Sequence, residues 1–221
     1  MTQSEKNVID FFRSIGIELV QIPETDTETP DYKTSISGVE IFIEVKEIIE
    51  NDYEKDVLKK TEDNTHQYSF DVQPMSKRVR GKITKADCQL KKLCIANQPG
   101  ILIIQDLRSF FTRSLIPSEE VKQAMFGERE IWVSMPSFGV INKSKITADI
   151  FGKNKSNTKS KNRNISAVCL LVDKAETRDS SLFIYHNPYA KNPLPHKLID
   201  HSNVKEFVIP STRSYCHYEK V

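Results

Sequence analysis

The chain has 221 residues, of which 38% are hydrophobic and 28% are charged. This length supports one domain with a substantial core, and no window approaches the 18 uncharged apolar residues that a transmembrane helix needs. The N-terminus lacks the basic and apolar regions of a signal peptide, and the four cysteines lack the CxxC or CxxH spacing of zinc sites. We therefore expect a soluble, cytoplasmic protein that has no disulfide framework and binds no membrane.

The charge is unevenly distributed along the chain. Residues 1–71 contain 17 Asp and Glu against 7 Lys and Arg, a net charge of −10, whereas residues 72–221 carry +12. A large basic part is typical of a protein that binds a polyanion such as nucleic acid. The role of the acidic part, residues 1–71, has to be inferred from the motifs that it contains.

The first half of the chain predicts alternating helices and strands. The predicted elements are an amphipathic helix over 4–15, a strand over 17–22, strands over 31–36 and 39–49, a long helix over 76–96, and a strand over 101–106. Ser37-Gly38 separates two β-branched runs and predicts a hairpin turn. The continuous apolar run 101–106 indicates a strand buried on both faces. The polar residues 50–73 are interpreted as a mobile excursion with weak helical character.

The second half predicts a helix, several strands and a basic loop. The predicted elements are a helix over 117–126 and strands over 131–135, 165–173 and 181–186, followed by an extended, proline-containing tail. Residues 153–163 have no apolar period and are expected to form a flexible basic loop. The single tryptophan, Trp132, is expected in the core. Residues 1–221 are therefore interpreted as one domain, with a core over about 4–106 and a C-terminal strand extension over about 117–221.

The strongest constellation of charged residues lies in the predicted hairpin. Alternation along strand 39–49 places Glu44 and Lys46 on one face, opposite the apolar face of Ile41 and Ile43. A two-residue turn at Ser37-Gly38 also places Asp31 directly across from Glu44, with Cβ atoms about 4.5–5.5 Å apart. Two carboxylates and a lysine are thus predicted to converge at the open end of the hairpin.

Two opposed carboxylates suggest a cation site. Like charges that face each other are destabilising, and a divalent cation such as Mg²⁺ would remove that cost. Such an ion activates a water molecule and offsets charge on a phosphoryl oxygen, while Lys46 is placed to position or deprotonate the water. The residues therefore predict hydrolysis of a phosphodiester.

Pro30-Asp31 followed by Glu44-Val45-Lys46 resembles the PD-(D/E)XK motif of the restriction-endonuclease-like nuclease superfamily. That family has a mixed four-stranded sheet flanked by helices in the order αβββαβ, and the predicted elements match this order over about residues 4–106. The resemblance implies an α/β restriction-endonuclease-like core and a DNA endonuclease. It also implies that Asp31 and Glu44 bind Mg²⁺ or Mn²⁺ and that Lys46 is the catalytic lysine. A homodimer is left open.

The same resemblance suggests a role for Glu5. Many members of the family carry an acidic residue on the first helix that points at the metal, and Glu5 lies on the apolar stripe beside Phe12. The sequence Thr2-Gln3-Ser4-Glu5 also fits a capping box, in which Glu5 bonds back to the Thr2 N–H. A catalytic role and a capping role for Glu5 both remain open.

The long helix is predicted to bind nucleic acid. Residues 76–92 contain seven Lys and Arg and one Asp, a density that suits phosphate neutralisation. The family often places a Gln or Lys from this helix near the scissile phosphate. The candidate nucleic-acid-binding residues are Arg78, Arg80, Lys82, Lys85 and Gln89. The alternative is an ordinary solvated basic face.

A rival function comes from a different class of protein. A non-catalytic nucleic-acid-binding or assembly subunit could keep the same fold, although it has no need for the opposed Asp31 and Glu44. Cleavage of RNA would use the same residues as cleavage of DNA. His186 and His196 lie in a proline-containing segment, where ordered packing is favoured over a metal site.

Overall fold

The structure is a computed structural model, and it describes residues 1–23, 28–62, 75–93, 97–109, 111–113, 117–134, 145–173, 180–208 and 219–220. In these residues the helices are α1 (Gln3–Ser14), α2 (Asp52–Glu62), α3 (Met75–Leu93) and α4 (Pro117–Phe126). The strands are β1 (Val20–Gln21), β2 (Tyr32–Ile36), β3 (Val39–Ile48), β4 (Gly100–Asp106), β5 (Arg129–Ser134), β6 (Lys145–Phe151), β7 (Ala167–Asp173), β8 (Ser180–His186), β9 (Val204–Val208) and β10 (Glu219–Lys220). None of these helices combines the length and apolar composition needed to cross a membrane.

The main sheet is mixed, with strand order β1-β2-β3-β4-β7-β8-β9-β10. The pairs β3–β4, β4–β7 and β8–β9 are parallel, and the other pairs are antiparallel. Strands β5 and β6 form a separate antiparallel pair. The expected α/β class is therefore confirmed, as a mixed sheet with flanking helices.

The hairpin of β2 and β3 has the predicted register. Ile36 pairs with Val39, and Tyr32 pairs with Ile43. Ser37 and Gly38 have φ angles of 49° and 80°, which is the left-handed conformation that a two-residue hairpin turn requires. Because side chains alternate along a strand, this register decides which residues of β3 face each helical layer.

Strand β4 lies at the centre of the molecule and is buried on both faces, as predicted. Leu102 and Ile104 belong to the core formed with α3 and α4. Ile101 and Ile103 belong to the second core, formed with α1. The parallel neighbours β3 and β7 supply residues to the same two cores, so the charged positions of β3 also lie between apolar layers.

The interpretation of residues 50–73 as a mobile excursion was wrong for residues 52–62, which form helix α2. The helix begins with a reciprocal cap: Glu54 N–H donates to Asn51 Oδ1, and Asn51 N–H donates to Glu54 Oε2, both at 2.8 Å. Asn followed three residues later by Glu is a recognisable start signal for a helix. Residues 63–73 lie outside the described part of the chain.

The basic segment 153–163 differs from the expected flexible loop. The N–H groups of Ser156 and Asn157 donate to the carbonyl oxygens of Ala124 and Met125, at 3.3 and 2.8 Å. Asn157 is fully buried. The segment is therefore anchored on the C-terminal end of α4 by backbone hydrogen bonds, which the polar composition does not reveal.

Trp132 is not a core residue. Trp132 is 60% exposed, and its neighbours Ile131 and Val133 are each 51% exposed. The reason is topological, because β5 pairs with β6 outside the main sheet and so gains no helical layer from it. An apolar run predicts a strand, but the layer that covers it is a tertiary property.

The C-terminal part extends the main sheet. The predicted strands 165–173 and 181–186 correspond to β7 and β8, which are paired antiparallel. The tail, expected to be extended, adds β9 in parallel to β8 and a short β10. Leu194 and Ile199, in the segment between β8 and β9, are buried in the core that contains α1.

Buried charges attach α2 to the rest of the fold. Arg108 is 0% exposed and contacts Glu54 Oε1 at 3.2 Å and Asp106 Oδ2 at 2.7 Å. Arg78 Nη2 lies 2.7 Å from the other oxygen of Glu54. Burial alone would raise the pKa of Glu54, but the hydrogen bonds from Asn51 and Arg78 and the charge of Arg108 hold this pKa below its usual value.

We expect Arg108→Met to destabilise the protein by about 3–5 kcal/mol, because it leaves two buried carboxylates without their shared cation. The measurement is the free energy of unfolding in urea. Lys60→Met is the control, since Lys60 pairs with Asp56 on the exposed surface of α2 and should cost less than about 1 kcal/mol. Equal costs for the two variants would contradict a structural role for the buried cluster.

Candidate active site

Glu44 is a charged side chain inside the protein. It lies in the middle of β3, on the face covered by α3, and is 0% exposed. Lys46, two positions further on the same face, forms an ion pair with Oε1 of Glu44. Within the described part of the chain, Lys46 and the amide of Gln89 are the side chains that stabilise the charge of Glu44. The side chain of Lys46 is 24% exposed, so the pair runs from the interior towards the surface.

Asp31 lies immediately before β2, beside this pair. Its Oδ2 accepts a hydrogen bond of 2.7 Å from the N–H of Val45, the residue between Glu44 and Lys46. Its backbone oxygen accepts a 2.9 Å bond from the N–H of Ile22. The structure therefore brings the three residues predicted from the hairpin pattern together, and it adds a backbone bond that holds the Asp31 carboxylate in place.

The environment of Glu44 disfavours its charge. Burial raises the pKa of Glu44 to about 7, and the negative charge of Asp31 contributes in the same direction. The ion pair with Lys46 and the nearby amide of Gln89 oppose this rise. A buried acid beside another acid is a common feature of catalytic and metal sites, although structural networks produce it too.

One flank of α3 faces the site. Gln89 is close enough to Glu44 to lower its pKa. Burial lowers the pKa of Lys82, and the positive charges of Lys46 and Lys85 lower it further, whereas Glu47 opposes them. Lys46, Lys82 and Lys85 therefore lie close enough together for their positive charges to repel one another, and Lys46 links them to Glu44.

The other two basic candidates on α3 are placed differently. Arg78 donates to the carbonyl oxygen of Ile49 at 2.9 Å and pairs with Glu54, so it has a structural role. At 100° per residue, Arg80 lies on the opposite flank of the helix from Lys82, near Asp87. Asp87 bonds to Asn164. The predicted group of five is thus split: the charge of Arg78 still reaches Lys82 and lowers its pKa, whereas Arg80 lies on the other flank.

Glu5 forms the capping box of α1. Thr2 N–H donates to Glu5 Oε2 at 2.9 Å, and Glu5 N–H donates to Thr2 Oγ1 at 3.3 Å. Burial raises the pKa of Tyr32 to about 12, with smaller contributions from Glu5 and Asp31. Glu5 thus forms the capping box and also lies within electrostatic reach of Tyr32, and its catalytic role stays a prediction.

A second polar cluster contains His186 and His196, for which the sequence favoured ordered packing over a metal site, together with Glu206, which the sequence analysis did not single out. The ligand atoms of His186, His196 and Glu206 all lie within 4.8 Å of one another, so these residues could hold a metal ion. Burial would raise the pKa of Glu206, but hydrogen bonds from His186 and the Lys197 N–H keep it below its ordinary value. The sequence feature that could have revealed this cluster is Glu206, an acidic residue on the otherwise apolar face of Val204 and Val208.

The Asp31–Glu44 pair fits a hard divalent cation. Mg²⁺ prefers carboxylate oxygens and keeps several waters, so one or two carboxylates are a sufficient protein contribution. The buried carboxylate of Glu44 is paired with Lys46, and such an ion would add a second positive charge beside it. The oxygen ligands do not distinguish Mg²⁺ from Mn²⁺.

Comparison with known proteins adds no further information on the site. No protein-family model, no curated protein and no solved structure matches the chain. Any functional conclusion therefore depends on the order of the elements, the register of the hairpin and the contacts around Glu44.

The raised pKa of Glu44 predicts a pH-dependent stability in EDTA. Between pH 4.5 and about 7 the folded protein keeps a proton on Glu44 that the unfolded chain has released, so stability falls as pH rises through this window. Glu44→Gln removes this loss, so its free energy of unfolding should exceed that of the wild type by up to roughly 3 kcal/mol at the upper end of the window.

The measurement is urea unfolding of both proteins at several pH values in EDTA. Asp52→Asn removes an exposed carboxylate from α2 and controls for the loss of one negative charge. A constant difference between Glu44→Gln and wild type would show that Glu44 is ionised throughout and fully compensated.

Proposed function

We propose that this protein is a metal-dependent nuclease of the PD-(D/E)XK class that hydrolyses phosphodiester bonds in DNA. The observation that carries the proposal is the buried Glu44, paired with Lys46 and placed beside Asp31. Placing the half-buried Asp31 carboxylate beside the buried carboxylate of Glu44 is unfavourable for folding alone, because each negative charge raises the cost of ionising the other. A site that accepts a cation explains the arrangement.

The order of the elements also supports the proposal. Along the chain, α1, β1, β2, β3, α3 and β4 follow one another with the short helix α2 inserted before α3. This is the αβββαβ order that the resemblance implies. The motif residues lie at the start of β2 and on β3, next to the parallel strand β4. We therefore propose a restriction-endonuclease-like core, to which β7–β10 add further strands.

Asp31 and Glu44 are the residues that would hold Mg²⁺ or Mn²⁺. When bound, such an ion supplies an activated water molecule and offsets negative charge on the phosphoryl oxygen. The backbone bond from Val45 fixes the orientation of Asp31 for this task. Burial of Glu44 excludes competing water from its carboxylate.

Lys46 is the proposed catalytic lysine. In hydrolysis the water oxygen attacks phosphorus, the phosphorus–oxygen bond to the leaving group breaks, and the leaving oxygen gains a proton. The ammonium group of Lys46 is anchored by Glu44 and still reaches solvent. It can therefore donate hydrogen bonds that orient the attacking water and stabilise negative charge on the phosphate.

Lys82, Lys85 and Gln89 provide a nucleic-acid-binding flank in this proposal. They lie on the side of α3 that faces Lys46 and Glu44. Phosphate groups would relieve the mutual repulsion of these lysines, and their binding would release counterions. The backbone of a nucleic acid would then lie across the site with a phosphate near Lys46.

Lys46→Ala is expected to fold normally and to bind DNA, but to cleave it roughly 100-fold more slowly or worse, as for loss of a general acid–base group. The assay is cleavage of plasmid and single-stranded DNA with Mg²⁺, Mn²⁺ or EDTA. Lys33→Ala is the matched control, because Lys33 pairs with Glu40 elsewhere on the same hairpin. Wild-type cleavage by Lys46→Ala would refute the assignment of this lysine.

The same assay separates the alternatives. Binding of DNA by the wild type without cleavage in any metal would favour the non-catalytic binding or assembly subunit. Cleavage of an added RNA substrate, with DNA left intact, would support the same active-site residues but assign RNA as the substrate.

The binding flank predicts a difference between two pairs of lysines on α3. Lys82→Glu/Lys85→Glu should weaken binding to all sequences and reduce the slope of log affinity against log salt by about 0.9 for each lost phosphate contact. Lys77→Glu/Lys91→Glu makes the same change in net charge at two exposed lysines on the far side of the helix. Affinity should be measured from 50 to 300 mM salt (roughly the range in which counterion release is resolved). Equal slopes for the two double variants would place the binding surface elsewhere.

A further inference from the structure

The cluster of His186, His196 and Glu206 lies apart from the hairpin site. His186 Nε2 is 3.1 Å from Glu206 Oε2, and the rings of the two histidines have centroids 4.5 Å apart. His186 and Glu206 are buried, whereas His196 is exposed. The cluster therefore has an enclosed side and a side open to solvent.

Three separate parts of the chain build this cluster. His186 ends β8, Glu206 lies on the parallel strand β9, and His196 belongs to the segment that connects the two. Ile184 pairs with Glu206, and alternation along β8 then places His186 on the same face as Glu206. The connecting segment must therefore return towards the sheet to bring in its histidine.

The return of the segment depends on Lys197. This residue has a φ of 56°, a left-handed conformation that is uncommon for a residue with a side chain. Its N–H donates a hydrogen bond of 2.9 Å to Glu206 Oε2. A backbone donor on a metal-binding carboxylate is typical of the outer contacts that orient metal ligands. The backbone next to His196 is thus held by the same carboxylate that His186 contacts.

We propose that His186, His196 and Glu206 form a zinc site, with a water molecule in the fourth position on the open side. Two imidazole nitrogens and one carboxylate oxygen form a ligand set that suits Zn²⁺. Tetrahedral zinc with bonds near 2.0–2.1 Å requires ligand atoms about 3.4 Å apart, close to the 3.1 Å between His186 and Glu206. To bind, His186 moves its proton from Nε2 to Nδ1, and the freed Nε2 lone pair coordinates the metal.

This zinc site is distinct from the proposed nuclease site in both place and chemistry. Ile184, the partner of Glu206, belongs to the core on the α1 side of the sheet. Phe42, which shares a face with Glu44, belongs to the core on the α3 side. Strands β3 and β8 are three strand spacings apart, or about 14 Å. Imidazole ligands favour zinc, whereas the carboxylates of the hairpin favour Mg²⁺.

The zinc ion would act as a clamp on the C-terminal extension. It joins β8, β9 and the connecting segment, which contributes the buried residues Leu194 and Ile199 to the core. Because an unfolded chain does not hold the three ligands together, binding of the metal favours the folded extension.

The test uses the full-length protein, stripped with EDTA and then freed of the chelator. Isothermal titration should show one Zn²⁺ bound per chain with no competition from millimolar Mg²⁺, and the melting temperature should rise with Zn²⁺. His196→Ala should lose at least tenfold in Zn²⁺ affinity and most of the rise in melting temperature. His196→Cys, which keeps a zinc ligand, should restore binding.

Two further variants make the result specific. His201→Ala removes a histidine from the same segment outside the cluster, and should bind Zn²⁺ like the wild type. Asp31→Asn/Glu44→Gln should also bind Zn²⁺ normally, because it alters only the other site. Absence of Zn²⁺ binding, or unchanged affinity in His196→Ala, would overturn the proposal. Loss of binding in Asp31→Asn/Glu44→Gln alone would instead assign the zinc to the hairpin.

Discussion

Strands β3 and β4 are covered on both faces, and this burial constrains every polar group that they carry. Helix α1 packs against one face and helices α3 and α4 against the other. A carboxylate in the middle of β3 therefore loses most of its hydration, and its charge must be compensated by neighbouring groups. Glu44 obtains this compensation from Lys46 and Gln89, while Asp31 works against it. The chemistry proposed for the hairpin follows from that imbalance.

The same constraint explains the charges gathered towards the C-terminal ends of β3 and β4. Because these strands are parallel, their C-terminal ends meet at one edge of the sheet. Arg108 compensates both Asp106 and Glu54 there, which ties α2 to the sheet. Lys82 and Lys46 lie near the same region without such full compensation. The charges of Arg108, Asp106 and Glu54 balance one another and have a structural role. Lys82 and Lys46 retain an excess of positive charge that a phosphate could neutralise.

Two metal chemistries would then coexist in one sheet without interfering. The hairpin offers carboxylates on the face of α3, whereas β8, β9 and the segment between them offer two imidazoles and one carboxylate on the face of α1. The sheet itself separates them, because side chains that alternate along a strand cannot reach the opposite layer. Selectivity between a hard cation and zinc would come from ligand type rather than from affinity alone.

The amino-acid sequence by itself determined the local features of the hairpin. Ser37-Gly38 specifies the turn, and the turn specifies the register that aligns Asp31 with the Glu44 region. Strand β4 could also be predicted from the sequence, because a short apolar run after a helix indicates a strand with two buried faces. Helix α2 could have been predicted from the cap at Asn51 and Glu54, a signal that the polar composition of the segment obscured.

Other features were decided only by tertiary structure, because they depend on which layer covers a residue. Arg78 and Lys82 are both basic residues of α3, yet a buried Glu54 engages the first and the hairpin site faces the second. Trp132 lies in an apolar strand that the fold leaves outside the main sheet. His196 and Glu206 are separated by ten positions, and only the turn at Lys197 and the pairing of β9 bring them together. Periodicity specifies the face of an element on which a residue lies, whereas the partner opposite that face is chosen by packing between distant parts of the chain.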